Sequence, residues 1–407
     1  MKKFTHSLVF KLLVAIIAGI LFGGVINKTI IGVVIPIRDI LSSFISYMVP
    51  LIILGFITPA IVSLKENIGK VLSITLMICY LSSLGAALFS VAAGNAIIPH
   101  LNIASHIGEG NALPENPLKI SIDPIMPTMT ALVTAMLVGI ATVATKSETW
   151  EKFLKEFNNI VLFIVEKVVI AILPIYIFTS FTALSYEGVI LSELPVFIKI
   201  LLIVIIGHYI WLLLLYSIGG AISKTNPVEV VKHYLPAYLT ALGTMSSAAT
   251  LPVSLRCAAK VKTLDPKIRD FAIPLCSNTH LCGSVLTETF FVMTVSQILY
   301  GHLPSIQTMI LFAMLLGIFA IAAPGVPGGT VVASLGLIIS VIGFDESGTA
   351  LMLSIFALQD SFGTACNITG DGAIALMVTG IMKKVPGRNG NPEHKEDLED
   401  KLEDITE

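Results

Sequence analysis

Six apolar runs fill the first half of the chain, near residues 8–26, 30–61, 68–97, 128–146, 153–185 and 192–222. Each approaches or exceeds the roughly 20 residues that cross the hydrocarbon core of a bilayer. Inside that core no water is present to satisfy backbone N–H and C=O groups, so such runs are read as helices, which satisfy their own. Only 13% of the 407 residues are charged, against about 25% in a soluble protein. The mean hydropathy is +0.89. The fold class is therefore an all-α polytopic membrane protein.

The opening stretch "MKKFTHSLVFKLLVAIIAGILFGGVI" mimics a signal peptide, but it lacks a small-x-small cleavage site before a soluble domain. It reads as the first membrane helix. Lys2, Lys3 and Lys11 favour a cytoplasmic N-terminus, and Lys383, Lys384 and Arg388 a cytoplasmic C-terminus. The stretch 98–127 holds Pro114, Pro117, Pro124 and Pro127 and reads as a loop. The final stretch, 384–407, is a charged, solvated tail. A net charge of −2 identifies no partner, and nothing points to nucleic acid. The five cysteines lie in or beside apolar segments, with no disulfide framework or zinc spacing.

After residue 223 the pattern changes. "YLTALGTMSSAATLPVSLRCAAK" has two short apolar pieces around the small polar centre Thr244–Thr250, the profile of a re-entrant hairpin. The segment 265–300 is long enough to cross but is interrupted by "SNTHLCGS". The segment 305–343 repeats the hairpin pattern, with Pro324, Pro327 and three glycines in "APGVPGGT". The last segment, 346–382, is again interrupted, by "LQDSFGTACNITGDG". Hairpin and broken span thus occur twice in order, the sign of a transporter built from inverted repeats with discontinuous helices. Irregular backbone at membrane depth survives only when buried in protein or lining a wet cavity, so these breaks line a binding site.

Carboxylates inside a membrane are costly and mark function. Asp360 and Asp371 stand three helical turns apart, with Thr364 and Asn367 between them on one polar stripe. Ser246 and Ser247 sit at the first hairpin tip, where half-helix ends aim free N–H groups at an anion. His280 is read either as a neutral core histidine or as a proton relay. Cys276 and Cys282 read as small packing residues. Glu288 reads as an acid paired with a loop cation at the membrane edge. No G-x-S-x-G or H-E-x-x-H motif is present, so an enzyme is not expected.

At these motifs the chain resembles the dicarboxylate/amino acid:cation symporter family, which includes the glutamate transporters. "TMSSAATLP" is similar to that family's first hairpin tip, and "PLCSNTHLCGS" to its seventh-helix segment that usually ends N-M-D-G-T. "APGVPGGT" is similar to the second hairpin tip, and "DSFGTACNITGD" to the eighth-helix motif D-x-x-R-T-x-x-N-x-x-G-D. The resemblance implies eight transmembrane helices plus two hairpins, a homotrimer in the inner (plasma) membrane, and an elevator mechanism. It implies scaffold helices at 1–67 and 98–222, and a transport core made of the third helix, 68–97, with 223–383. It implies a substrate site at Ser246, Ser247, Ser284, Val326, Gly328, Asp360, Gly363, Thr364 and Asn367, with Asp360 on the ammonium of an amino acid. It implies a coupling-cation site at Cys276, His280, Asn367 and Asp371, with sodium at Asn367 and Asp371.

The departures from the family pattern reshape that expectation. The eighth-helix arginine that grips an acidic side chain is Gly363 here, and the basic residue before the first-hairpin serines is Met245. A second substrate carboxylate would be buried unpaired, at a cost of several kcal/mol. A neutral amino acid is therefore expected, and the glycine is expected to leave room for a larger side chain. The asparagine and aspartate of N-M-D-G are His280 and Cys282. A deeper sodium site is then expected to be lost, with coupling through fewer sodium ions, through a proton, or through no ion. A sodium-independent amino acid or carboxylate carrier remains the alternative, and an ion channel the alternative from another class.

Overall fold

The computed structural model describes residues 8–63, 70–101, 111–114, 116, 118, 122–325 and 327–383. Among these, all regular structure is helical. The front half holds α1 (Leu8–Gly23), α2 (Lys28–Ser63), α3 (Lys70–Ile97), α4 (Thr128–Thr145), α5 (Glu148–Ile164), α6 (Ile170–Tyr186) and α7 (Val189–Ser223). A π turn at Val165–Val169 joins α5 to α6, so Glu148–Tyr186 runs as one long span. The back half holds α8 (Val228–Thr244), α9 (Ser247–Ala259), α10 (Pro266–Thr279), α11 (Cys282–Tyr300), α12 (Ile306–Ala322), α13 (Gly329–Leu337) and α14 (Glu346–Lys383). Six stretches among the described residues are long and apolar enough to cross a membrane: α2, α3, α5–α6, α7, α10–α11 and α14.

Local chemistry places the breaks. Ser246 Oγ accepts from Ala249 N at 3.2 Å and so caps α9, while Met245 turns the chain at φ +53°. Asp265 Oδ1 accepts from Lys267 N and Ile268 N at 2.9 and 3.2 Å, with Pro266 at the first helical position of α10. Ser305 caps α12 through Thr308 N at 3.1 Å. The arms α8 and α9 are 17 and 13 residues long, about 25 and 20 Å at 1.5 Å per residue. Both fall short of the ~30 Å core. They pack against each other, as do α12 and α13.

Two groups of helices result. α1, α2, α4, α5 and α6 pack among themselves. α3 lies along α11 and α12, and α14 runs through the middle of the back half, touching α8, α10, α11 and α13. α7, which falls within the front-half scaffold implied by resemblance, lies along α14 and touches α11.

One expectation is corrected. α14 is expected to be broken at its polar stripe, yet it is continuous from Glu346 to Lys383 and almost wholly buried. It contains no proline. Asp360, Asn367 and Asp371 find partners outside α14, so its own backbone bonds need not open to satisfy them.

Candidate functional site

The break between α10 and α11 falls at His280 and Leu281, whose backbones are non-helical at φ −117° and −114°. It leaves the first N–H groups of α11 without intrahelical partners. Asn367 of α14 supplies one: its Oδ1 accepts from Gly283 N at 2.7 Å and Ser284 N at 3.2 Å, and its Nδ2 donates to Ser284 Oγ at 2.9 Å. A side chain 83 positions along the chain thus caps the half-helix. From the other side, His208 Nε2 of α7 lies 3.1 Å from Gly283 O and 2.9 Å from Thr287 Oγ1.

The imidazole of His280 bridges two helices. Its Nδ1 is 3.0 Å from Asp371 Oδ1, and its Nε2 is 2.9 Å from Ser82 Oγ of α3. Both His280 and Asp371 are fully buried. Asp371 Oδ2 has no hydrogen-bond partner, nor does Ser83 Oγ. The ring leaves no space at its neighbour: a β-carbon on Gly370 would lie 2.9 Å from His280 Cε1 and 3.3 Å from Cys282 Sγ. Gly370→Ala is therefore expected to destabilise the protein by about 1–3 kcal/mol through overpacking. The check is thermal unfolding in detergent beside Ala373→Gly on the same helix; an unchanged melting temperature would show that the ring has slack. The thiols of Cys79 and Cys276 lie 3.6 Å apart beside this pair.

The hairpin tips meet at the same level. Ser246 Oγ donates to Gly325 O at 2.8 Å. A β-carbon on Gly325 would lie 3.2 Å from Asn278 Oδ1 and 3.5 Å from Ser277 O, so the second tip rests on the end of α10. Ser247 is buried at the first turn of α9. Asp360 Oδ2 accepts from Gly328 N at 2.8 Å, and Gly328 holds φ +71°, a conformation that glycine adopts without strain. Thr364 is buried one turn further along α14. Val326 lies outside the described residues.

At Gly363 an added β-carbon would meet Ser284 Cα, N and Oγ at 3.4 Å, ordinary van der Waals contact. The first turn of α11 already fills the space beside the glycine. A larger volume lies elsewhere. A cavity of about 330 Å³ runs between Pro59 of α2, Glu151, Lys155 and Asn158 of α5, Asn278 and Ala323. Its size falls within the range of about 300–1,000 Å³ typical of small-molecule pockets.

The electrostatics are one-sided. From Asp270 through Met382 the chain has neither lysine nor arginine. Asp360, Asp371 and Glu288 are nonetheless buried there. Glu288 is not at a membrane edge paired with a cation, as the sequence suggested. It is fully buried, Ser334 Oγ of α13 donates to its Oε1 in a short hydrogen bond, and Oε2 is unpartnered. The contacts that sequence patterning missed are Ser82, His208 and Ser334. A serine in an apolar run bonds its own helix as readily as a neighbour, and only "YLSSLG", two small polar residues together, hinted at α3.

The sequence is similar to that of known proteins. Residues 8–381 match the family model of the sodium:dicarboxylate symporters. Mouse excitatory amino acid transporter 2 is 27% identical over 240 residues, 57% of this chain and 41% of the relative. Mouse excitatory amino acid transporter 3 is 31% identical over 172 residues, 42% of this chain and 31% of the relative. A Caenorhabditis elegans excitatory amino acid transporter is 28% identical over 156 residues, 38% of this chain and 31% of the relative. Each alignment thus spans less than half of the relative's own length. That family is one of membrane transporters rather than enzymes, and with a match over nearly its whole length this chain belongs to the sodium:dicarboxylate symporter family.

Proposed function

We propose that this protein is a secondary carrier of neutral amino acids. The observation that carries the reading is the absence of any lysine or arginine between Asp270 and Met382, around a buried Asp360. A zwitterion brings its own ammonium to Asp360 and its α-carboxylate to N–H groups and hydroxyls at the hairpin tips, where Ser246 and Ser247 stand. Ser284, Gly328, Thr364 and Asn367 complete the proposed substrate set, to which the sequence motif adds Val326. A second carboxylate, as in glutamate, would be buried near Asp360 with no lysine or arginine from this segment to pair with it.

Movement follows from the two helix groups: α3 and α7–α14 carry the site, and α1, α2 and α4–α6 form the scaffold against which it slides. The cavity beside Lys155 and Asn278 is the passage between them. We place the protein in the plasma membrane with both termini cytoplasmic, as a homotrimer.

Coupling is the altered part. In the sodium reading, Asn367 and Asp371 hold the ion with backbone oxygens near Cys276 and His280. Here Asn367 is committed to α11 and one oxygen of Asp371 to His280. These contacts favour reduced sodium coupling, or a sodium-independent carrier driven by protons or by the substrate gradient alone.

The test is uptake of twenty radiolabelled amino acids into proteoliposomes, with sodium or choline outside. Uptake of neutral amino acids that is matched in choline supports both parts. Preference for glutamate or aspartate rejects the substrate assignment, a strict sodium requirement rejects the coupling assignment, and ohmic current without substrate would mark a channel. A second prediction arises at Gly363, where a β-carbon fits without moving backbone. Gly363→Arg is expected to raise the ratio of acidic to neutral substrate uptake by tenfold or more, since a buried charge pair is worth about 1.5 kcal/mol or more. An unchanged panel would remove Gly363 from the specificity determinants.

A further inference from the structure

The scaffold and the core meet across an apolar boundary. Ile16, Phe181 and Leu173 of the scaffold face Phe291, Leu351 and Val331 of the core along it. Contacts of this kind are non-directional, so they fix no single register of one group against the other. Among the described residues, one hydrogen bond crosses the boundary. Tyr176 Oη of α6 donates to the carbonyl oxygen of Glu346, the first residue of α14, at 3.0 Å.

Each end of this bond belongs firmly to its own group. Tyr176 is fully buried, with Ser42 of α2 beside its hydroxyl and Arg38 within electrostatic reach. On the core side, Asp345 Oδ1 caps α14 through Gly348 N at 2.9 Å and accepts from Tyr300 Oη of α11 at 2.8 Å. The start of α14 is therefore tied to α11 and moves with it.

The bond also lies deep within the scaffold. α6 runs ten residues past Tyr176, about 15 Å at 1.5 Å per residue, before it ends at Tyr186. Arg38 is likewise ten residues inside the start of α2 at Lys28. These two helix ends lie together, because Ala183 packs with Ile31, Val34 and Ile35. Ser185 Oγ donates to Ile20 O at 2.8 Å near the end of α1, which brings a third helix end to the same level. α14 thus begins well below the level at which the scaffold helices turn. Asp345 and Glu346 are exposed there, and charged side chains at that depth face water rather than lipid. With both termini cytoplasmic, the scaffold turns lie outside and the core is displaced inward. The cavity beside Asn278 opens toward the opposite end, at Pro59 and the start of α5.

We propose that Tyr176 is a positioning residue that pins the core in this inward position. The inference rests on the sliding of the two helix groups proposed above. When the core moves outward, Glu346 O leaves and the phenolic hydroxyl is stranded in buried surroundings. A buried donor without a partner is costly, so the bond biases the resting equilibrium inward and has to open in every transport cycle. Tyr176 is none of the residues assigned to substrate or coupling ion.

The experiment measures distances by electron paramagnetic resonance on the full chain in lipid nanodiscs. Spin labels are placed at Val25→Cys in the turn between α1 and α2 and at Gln307→Cys on α12, both exposed positions. The five native cysteines are buried and stay unlabelled. Labelled chains are diluted with unlabelled ones, so that each distance lies within one chain. Spectra are taken without ligand and with a mixture of alanine, serine and leucine, in sodium and in choline. Two distances are expected in the wild type, with that of the present structure dominant when no ligand is added. Tyr176→Phe keeps the ring and removes the donor. It should leave both distances in place and raise the ratio of the second to the first about tenfold. Two distances in unchanged proportion overturn the pin and leave the sliding intact. A single distance in every condition, Tyr176→Phe included, overturns the sliding and the pin with it. A lower share of the second distance in Tyr176→Phe means that the bond serves the outward state, which also overturns the assignment. Should Tyr176→Phe fail to fold, Tyr176→Met, which also lacks the donor, decides between the same outcomes.

Discussion

Asp360→Asn is expected to weaken binding of a neutral amino acid by roughly 30-fold to several-thousand-fold, the equivalent of about 2–5 kcal/mol lost when one partner of a buried, hydrogen-bonded charge pair is removed. Asp360 is 5% exposed and has one partner of its own, Gly328 N at 2.8 Å. An asparagine keeps a carbonyl oxygen for that N–H, so the second hairpin tip stays where it is. What it loses is the charge. No other group within Asp270–Met382 offers the ammonium a partner at the same place: Asp371 is bonded to His280 and Glu288 to Ser334. The substitution also removes the cost of burying an unpaired carboxylate in the substrate-free protein, so thermal stability should hold or rise. The two readouts together separate a ligand role from a structural one. Loss of binding with retained stability supports the ammonium assignment. Retained affinity in a folded variant rejects it, and a collapse in stability would mean that Asp360 serves the hairpin instead.

The outline of this fold was readable in the amino acids because the membrane allows so few solutions. Runs of apolar residues become helices, and a cluster such as "SNTH" stands out against them. The helix break at His280 and the tip at Ser246 follow from that contrast. Charge contrast failed at α14. Asp360, Asn367 and Asp371 look like a break in one dimension, but each is answered by a different helix: Gly328 N, the first turn of α11, and His280. A polar residue signals a local break only if no distant group meets it, and distance along the chain hides those groups. Ser82 and His280 are 198 positions apart, and Glu288 and Ser334 are 46. Gly363 illustrates the same limit for volume. A missing side chain reads as empty space, yet Ser284 of α11 lies within van der Waals contact of where a β-carbon would sit. Residue types state what must be satisfied; the packing states by whom.

His280 is the residue on which the coupling assignment turns, and its replacement is expected to restore what the family name describes. The wild-type protein should show no sodium-dependent thermal shift. His280→Asn combined with Cys282→Asp should gain one, relative to potassium or choline. In the present arrangement the ring joins Asp371 Oδ1 to Ser82 Oγ at 3.0 and 2.9 Å and packs against Gly370. A ring in that position supplies hydrogen bonds where a hard cation would need oxygen, and the neighbouring Cys282 contributes sulfur, a poor ligand for an alkali ion. Replacing the imidazole by a short amide and the thiol by a carboxylate returns oxygen atoms to both positions, near the unpartnered Asp371 Oδ2. At a sodium concentration a hundred times its dissociation constant, the gain is about 2.7 kcal/mol. His280→Ala alone supplies the complementary measurement. It strips Asp371 and Ser82 of their shared partner, and the cost of an uncompensated buried charge is about 3–5 kcal/mol. That variant should be severely destabilised in choline and partly rescued by sodium. A sodium shift already present in the wild type would mean that Asp371 binds the ion beside the imidazole, and that His280 is a structural residue of a working sodium site.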